Sequence, residues 1–171
     1  MDVWMVFLRL VHIFAGILWV GSTFFSVGFL QPAVAAAGPD GGKVMQWMVR
    51  QKRFGIAMTV AAILTTLAGV LLYWPVSGNL SGPWLGTARG LVLTVGAVAG
   101  IIAFVQSFAM QGRANLRMTT LVDQLQATGG QPTPEQMAEM RALQETLSRG
   151  TRWSTILMII AVAGMAGSRY I

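Results

Sequence analysis

The sequence predicts an all-α integral membrane protein: a bundle of four transmembrane helices, with both termini facing outward. Of its 171 residues, 54% are hydrophobic and only 11% are charged, whereas about one quarter of a soluble domain is charged. Four apolar runs each approach the roughly 20 residues that cross a bilayer. The basic residues fall mainly in two connections on one side of such a bundle, which fixes its orientation.

The four predicted spans cover residues 4–30, 54–74, 88–110 and 153–168 of a single domain that comprises residues 1–171. The connection between the second and third spans carries no charge. Because connections rich in Lys and Arg remain in the cytoplasm, the N- and C-termini are expected outside. Nine of the twelve basic residues lie in the other two connections: Lys43, Arg50, Lys52 and Arg53 in the first, and Arg113, Arg117, Arg141, Arg149 and Arg152 in the third.

The first apolar run is also followed by small residues, AVAAAG, that resemble a signal-peptide cleavage site. The run is about twice as long as the 7–15 residues of a signal-peptide core. We therefore expect it to be retained as the first span.

Residues 113–150 predict a cytoplasmic helical hairpin between the last two spans. RANLRMTTLVDQLQA continues the third helix, and GGQPT forms a turn. Thr133 is expected to cap the next helix, with Pro134 at its first position and Gln136 completing a capping box. Two roles remain open for the hairpin: a spacer, or a docking surface for a protein partner or a second copy. We expect Leu116, Val122 and Leu125 to face Met137, Met140, Leu143 and Leu147.

Small or polar residues share one face of every span. This spacing lets helix backbones approach closely where lipid offers no hydrophobic drive for association. The first span contributes Arg9, His12, Gly16, Trp19, Thr23 and Ser26. The other three contribute Thr59, Ala62, Thr66, Gly69 and Tyr73; Gly96, Gly100, Ala103 and Ser107; and Ala161, Gly164 and Ser168.

The outer half of the bundle is the predicted functional site. Ionisable groups inside a membrane are costly unless they are paired or functional. In the predicted orientation, Arg9 and the only histidine, His12, lie near the ends of the other three helices. Those ends carry Tyr73, Trp84, Arg89, Met165, Arg169 and Tyr170.

Haem b is the leading ligand hypothesis for this site. A neutral imidazole can bind iron, and arginines can pair with propionates. His12 and Met165 are the candidate iron ligands, and no catalytic residue is assigned. The residues expected to line the cofactor are His12, Arg9, Gly16, Trp19, Tyr73 and Arg89, with Gly69 leaving space for it. In the alternative interpretation, His12 bonds a backbone carbonyl or Tyr73 and only holds the bundle together.

Other kinds of chemistry have less support in the sequence. The absence of cysteine excludes disulfides and iron–sulfur clusters. Paired methionines at 45 and 48 and at 137 and 140 suit cuprous ions, but they lie far from His12, so copper handling is a lesser alternative. All six acidic residues lie outside the spans, which disfavours proton chemistry and ion transport. Since the basic residues flank the spans, we expect contact with membrane lipid rather than nucleic acid.

Three stretches resemble a superfamily of small bacterial membrane proteins. They are H-x3-G-x2-W-x-G at residues 12–21, with Gln31-Pro32 as an expected break; RQKRFGIAMTVAAILTTLAGVLLYW; and GPWLGTARGLVL. The superfamily includes copper-resistance-D-like domains and small membrane protoporphyrinogen oxidases. The resemblance covers residues 9–108 and implies a bacterial cytoplasmic (inner) membrane protein with haem b at His12. Arg89 replaces the lysine of the oxidase branch, which implies charge pairing rather than proton transfer.

We therefore expect a haem-binding or redox role. If the protein is an enzyme, we expect a haem-dependent membrane oxidoreductase. The alternative is a cofactor-free accessory subunit of a larger membrane complex.

Overall fold

The computed structural model describes residues 2–50, 53–129 and 132–171, and this part of the chain is helical with short turns. Two five-residue π-helical segments, Ser26–Leu30 and Ser107–Gln111, join α1 to α2 and α6 to α7. The α-helices are α1 (Val3–Phe25), α2 (Gln31–Ala36), α3 (Gly38–Arg50), α4 (Arg53–Val76), α5 (Gly82–Leu85), α6 (Ala88–Gln106), α7 (Gly112–Thr128) and α8 (Pro134–Gly167). Lys52, Gly130 and Gln131 lie outside the described residues, as do the side chains of Met45 and Arg50.

Within the described residues, four helical stretches are long and apolar enough to cross a membrane: Val3–Ala36, Arg53–Val76, Ala88–Thr128 and Pro134–Gly167. They confirm the predicted all-α four-helix fold of a small multi-pass membrane protein. Large apolar side chains lie exposed along all four, among them Phe14, Leu67, Val98 and Ile159. A surface of this kind is suited to contact with lipid rather than water.

The first stretch does not break at Pro32, where a break was expected. Proline has no N–H, and its ring clashes with the carbonyl four residues earlier in an α-helix. The π-helical segment just before it widens the backbone spacing, and the N–H of Gln31 bonds to the carbonyl of Ser26 five residues back. The helix therefore continues as α2, and the chain turns into α3 only at Gly38, which has a φ of +59°.

The bundle consists of two helix pairs, α1 with α4 and α6 with α8. Small residues let α6 and α8 come into backbone contact: a Cβ on Gly164 would lie 2.8 Å from the Cα of Gly96. The pairs meet around Trp19, which is buried with Ala61, Ala62, Ala103 and Met158. The predicted faces of α6 and α8 are confirmed, since their small residues are buried or half-buried.

The contact face of α4 agrees with the prediction in part. Ala62 is buried and Gly69 lies against His12, as expected. Thr59, however, is exposed, whereas Thr65 is buried. The face that meets α1 is thus shifted around the helix from the predicted one toward Thr65. Thr65 therefore becomes the polar residue of this interface.

The predicted hairpin is formed by α7 and the first half of α8. The capping box is present: the hydroxyl of Thr133 accepts from the N–H of Gln136, whose side-chain oxygen accepts from the N–H of Thr133. Leu116 was expected to face α8, but it is 72% exposed, and Leu121 is buried instead. Residues 116 and 121 lie five apart, on different sides of a helix.

One ion pair joins the two arms of the hairpin. The guanidinium of Arg117 donates to both carboxylate oxygens of Glu139, at 2.6 and 3.2 Å. The hydrogen bond and the charge of Glu139 raise the pKa of Arg117. At the start of α8, the pKa of Glu135 is lowered by two hydrogen bonds to its carboxylate, one from its own backbone N–H and one from the Thr133 side chain. Because α8 is one uninterrupted helix, the hairpin is continuous with the fourth span.

Candidate functional site

His12 is held by a reciprocal contact between α1 and α4. Its Nδ1 lies 2.7 Å from the backbone carbonyl oxygen of Thr65 and 3.3 Å from the Thr65 hydroxyl. That hydroxyl donates to the backbone carbonyl of His12 at 2.9 Å. A carbonyl oxygen can only accept a hydrogen bond, and the single proton of the Thr65 hydroxyl is already donated to His12. Nδ1 must therefore be the donor to the carbonyl oxygen of Thr65. The two residues thus satisfy each other across the helix interface.

The donated bond determines which ring nitrogen remains free in the neutral imidazole. With the proton on Nδ1, the lone pair lies on Nε2, which is the usual arrangement when a backbone carbonyl orients a histidine that binds a metal. Nε2 has no hydrogen-bond partner among the described residues, and no described buried side-chain nitrogen lacks one. Nε2 is therefore not fully enclosed by the described residues.

Two glycines make this arrangement fit. A Cβ on Gly69 would lie 2.8 Å from Cε1 and 3.0 Å from Nδ1 of His12, closer than such atoms normally approach. A Cβ on Gly16 would lie 3.2 Å from the hydroxyl of Thr65. The space beside these glycines thus accommodates the imidazole of His12 and the Thr65 side chain.

The other predicted site residues are spread over the bundle. Trp19 lies two turns along α1 from His12, in the central core, where its ring meets Phe104 edge-on at 6.4 Å. Met165 packs against α6, and its methyl carbon lies 3.8 Å from the position of a Cβ on Gly100.

Tyr73 connects α4 to α6. Its hydroxyl lies 2.6 Å from the Thr94 hydroxyl, which donates to the carbonyl of Gly90. Tyr73 must therefore be the donor to Thr94. Trp84 lies edge-on to its ring at 6.0 Å. The described hydrogen bond joins Tyr73 to α6 and the ring contact joins it to α5, whereas neither reaches His12.

Arg9 and Arg89 lie at the same end of the bundle, because α1 and α6 both begin there. Both side chains are exposed, and neither forms an ion pair or a side-chain hydrogen bond with another described residue. They are therefore available to an anionic group from outside the described chain.

The sequence analysis did not identify Thr65, and it also did not identify a second polar cluster. At the opposite end of α6, the side-chain amide of Gln106 donates to the carbonyl of Gly150 at 3.0 Å, and that of Gln111 donates to Ser154 at 3.0 Å. Two glutamines five residues apart in an apolar span are the sequence signal for this cluster. Their spacing matches the π-helical segment, which brings both toward α8.

Within the described residues, no three side chains of His, Cys, Asp and Glu come together to hold a metal ion. A metal centre in this part of the chain would therefore depend on His12, on thioethers, or on ligands supplied by a cofactor.

The chain matches no protein-family model, and no curated protein or solved structure is significantly similar to it.

Proposed function

We propose that the protein binds haem b in the membrane through Nε2 of His12 and serves a redox or haem-handling role. The observation that carries the proposal is the 2.7 Å bond from Nδ1 of His12 to the carbonyl of Thr65. It leaves the lone pair of Nε2 free, so that this nitrogen could hold the iron of a bound haem. The same interpretation is supported by the resemblance of residues 9–108 to the superfamily that includes the small membrane protoporphyrinogen oxidases, in whose oxidase branch the first-helix histidine is taken to bind haem b.

The neighbouring charges fit a haem with its propionates toward the outer end of the bundle. Arg9 precedes His12 by one turn of α1, and Arg89 lies in the first turn of α6. Both guanidinium groups are exposed, and arginine is suited to bidentate pairing with carboxylates. Met165 is the candidate for a second residue that would hold the iron. Bound haem would supply a redox-active iron at this position.

Haem content per chain tests the arginine part of the proposal. We expect Arg9→Gln and Arg89→Gln to lower the haem that remains with the detergent-purified protein, because each removes one propionate partner. Arg152→Gln is the matched control, since Arg152 is also exposed but lies near the middle of α8, where the hairpin joins the fourth span. Equal haem content in all three variants would refute the assignment of the two arginines.

A second function, that of a cofactor-free accessory subunit in a bacterial inner-membrane complex, is favoured by a separate observation. The reciprocal hydrogen bonds between His12 and Thr65 hold α1 against α4. The hairpin also exposes Leu116 and Met137, which would suit a protein partner or a second copy. This function predicts a stoichiometric partner that is lost in Leu116→Glu but retained in His12→Gln. If the protein binds haem through His12, the bound haem should instead be lost in His12→Gln and retained in Leu116→Glu.

A further inference from the structure

An open groove with a volume of about 650 Å³ runs along the outside of the bundle between α1 and α4. On α4 its lining recurs at helical spacing from Arg53 to Leu64, which is about 16 Å of helix at 1.5 Å per residue. Small residues, including Ala15 and Ala57, lie between large ones. The groove is therefore a mostly apolar surface depression that follows the two helices.

One positively charged side chain lies at one end of this groove. Arg53 is the only charged residue of its described lining and the first residue of α4. Its side chain is exposed and forms no ion pair or side-chain hydrogen bond with another described residue. A cation at the end of a span lies at the depth of lipid headgroups, and a basic side chain there attracts anionic lipid.

We propose that this groove binds one anionic phospholipid, with an acyl chain along α1 and α4 and the phosphate at Arg53. A transmembrane helix fits the same surface poorly, because close helix contacts need small residues that let backbones meet. Here Phe14 is 68% exposed and Ile56 61% exposed, so both project beside the alanines. A thin acyl chain can lie between such side chains. This inference is independent of haem.

The headgroup determines selectivity at this site. Lipid tails are as apolar as the groove, so the acyl chain alone confers no preference among phospholipids. One arginine at the membrane surface favours an anionic headgroup by about fivefold. The structure thus predicts a bound lipid whose preference depends on one residue.

Native mass spectrometry of the full chain with equimolar phosphatidylglycerol and phosphatidylcholine tests the proposal. We expect wild-type protein to retain one phosphatidylglycerol with about fivefold preference, and Arg53→Gln to lose that preference. The matched control is Arg113→Gln, an exposed arginine outside the groove. It should retain the wild-type preference.

A second variant tests the groove itself. Ala57 is exposed, so the larger side chain of Ala57→Leu fills part of the groove without entering the core. We expect this variant to lose the retained lipid. An unchanged preference in Arg53→Gln, an equal loss in Arg113→Gln, or full lipid retention in Ala57→Leu would overturn the proposal. So would a dimer that Ala57→Leu separates, since the occupant would then be a second copy.

Discussion

His12 illustrates how one residue in a membrane-spanning helix can satisfy its own polarity and still offer a ligand. One ring nitrogen donates to the Thr65 carbonyl, and the Thr65 hydroxyl returns a bond to the His12 carbonyl. Hydrogen bonds between transmembrane helices contribute about 0.6 kcal/mol on average. The pair therefore stabilises the contact of α1 with α4 modestly, but it orients the imidazole firmly.

Gly69 is predicted to be essential for this orientation. Gly69→Ala places a methyl group 2.8 Å from Cε1 of His12, which displaces the ring from Thr65. We expect a loss of stability of about 1–3 kcal/mol, as for other overpacked sites. Denaturation of the detergent-purified variant measures it.

Gly100→Ala is the matched control for this variant. A Cβ at Gly100 would make only ordinary contacts, at 3.7 and 3.8 Å, so its stability should equal that of the wild type. Equal stability in Gly69→Ala as well would show that the ring is not confined by α4.

At this scale the sequence predicted His12 at a helix contact, with a backbone carbonyl as one of two possible partners, but it did not identify Thr65 as the residue that supplies it. Thr59, Thr65 and Thr66 are alternatives of the same residue type, and Thr65 and Thr66 lie only 100° apart on α4. Which of them faces α1 depends on the rotation of α4 about its axis. That rotation is set by the packing of Ala61, Ala62 and Ala68, whose size the sequence shows but whose partners it does not.

At the scale of elements, α6 and α8 come into backbone contact at Gly164, near the end of α8. A Cβ there would lie 2.8 Å from the Cα of Gly96 and 2.9 Å from the carbonyl oxygen of Val92. Both neighbours are backbone atoms, which cannot rotate away. We expect Gly164→Ala to destabilise the protein toward the upper end of about 1–3 kcal/mol.

The same denaturation measurement on Gly167→Ala provides the comparison. Gly167 lies one turn further along α8, and a Cβ there would meet nothing within 4 Å. The α6–α8 contact would be misassigned if the two alanine variants were equally stable.

The four spans and the capped start of α8 were predicted well because apolar length and capping residues are local features, whereas the short helices α2, α3 and α5 were not predicted. The π-helical segments were not predicted. A π-helical turn depends on contacts outside the local sequence, such as the bonds from Gln106 and Gln111 to α8. The helix end expected at Pro32 was also wrong, because a proline interrupts a helix in this way only where the preceding turn is α-helical.

At the scale of the whole molecule, the topology remains a prediction from the charges of the connections. The chain has no cysteine, so single cysteines report their side of the membrane without background. We expect a membrane-impermeant maleimide to label Gly82→Cys in intact cells and to label Thr128→Cys only after permeabilisation. Both positions are exposed. Labelling of Thr128→Cys in intact cells would place the hairpin outside and invert the bundle.

The absorption spectrum of the detergent-purified protein tests the haem proposal most directly, with His12→Gln and Thr65→Val as a matched pair. The glutamine amide can still donate to the Thr65 carbonyl but offers no imidazole, whereas Thr65→Val removes only the hydroxyl and retains that carbonyl. We predict a Soret band in the wild type and in Thr65→Val, and its loss in His12→Gln at unchanged helical content. The absence of a Soret band from haem-supplied wild-type protein, or its persistence in His12→Gln, would contradict haem ligation by His12.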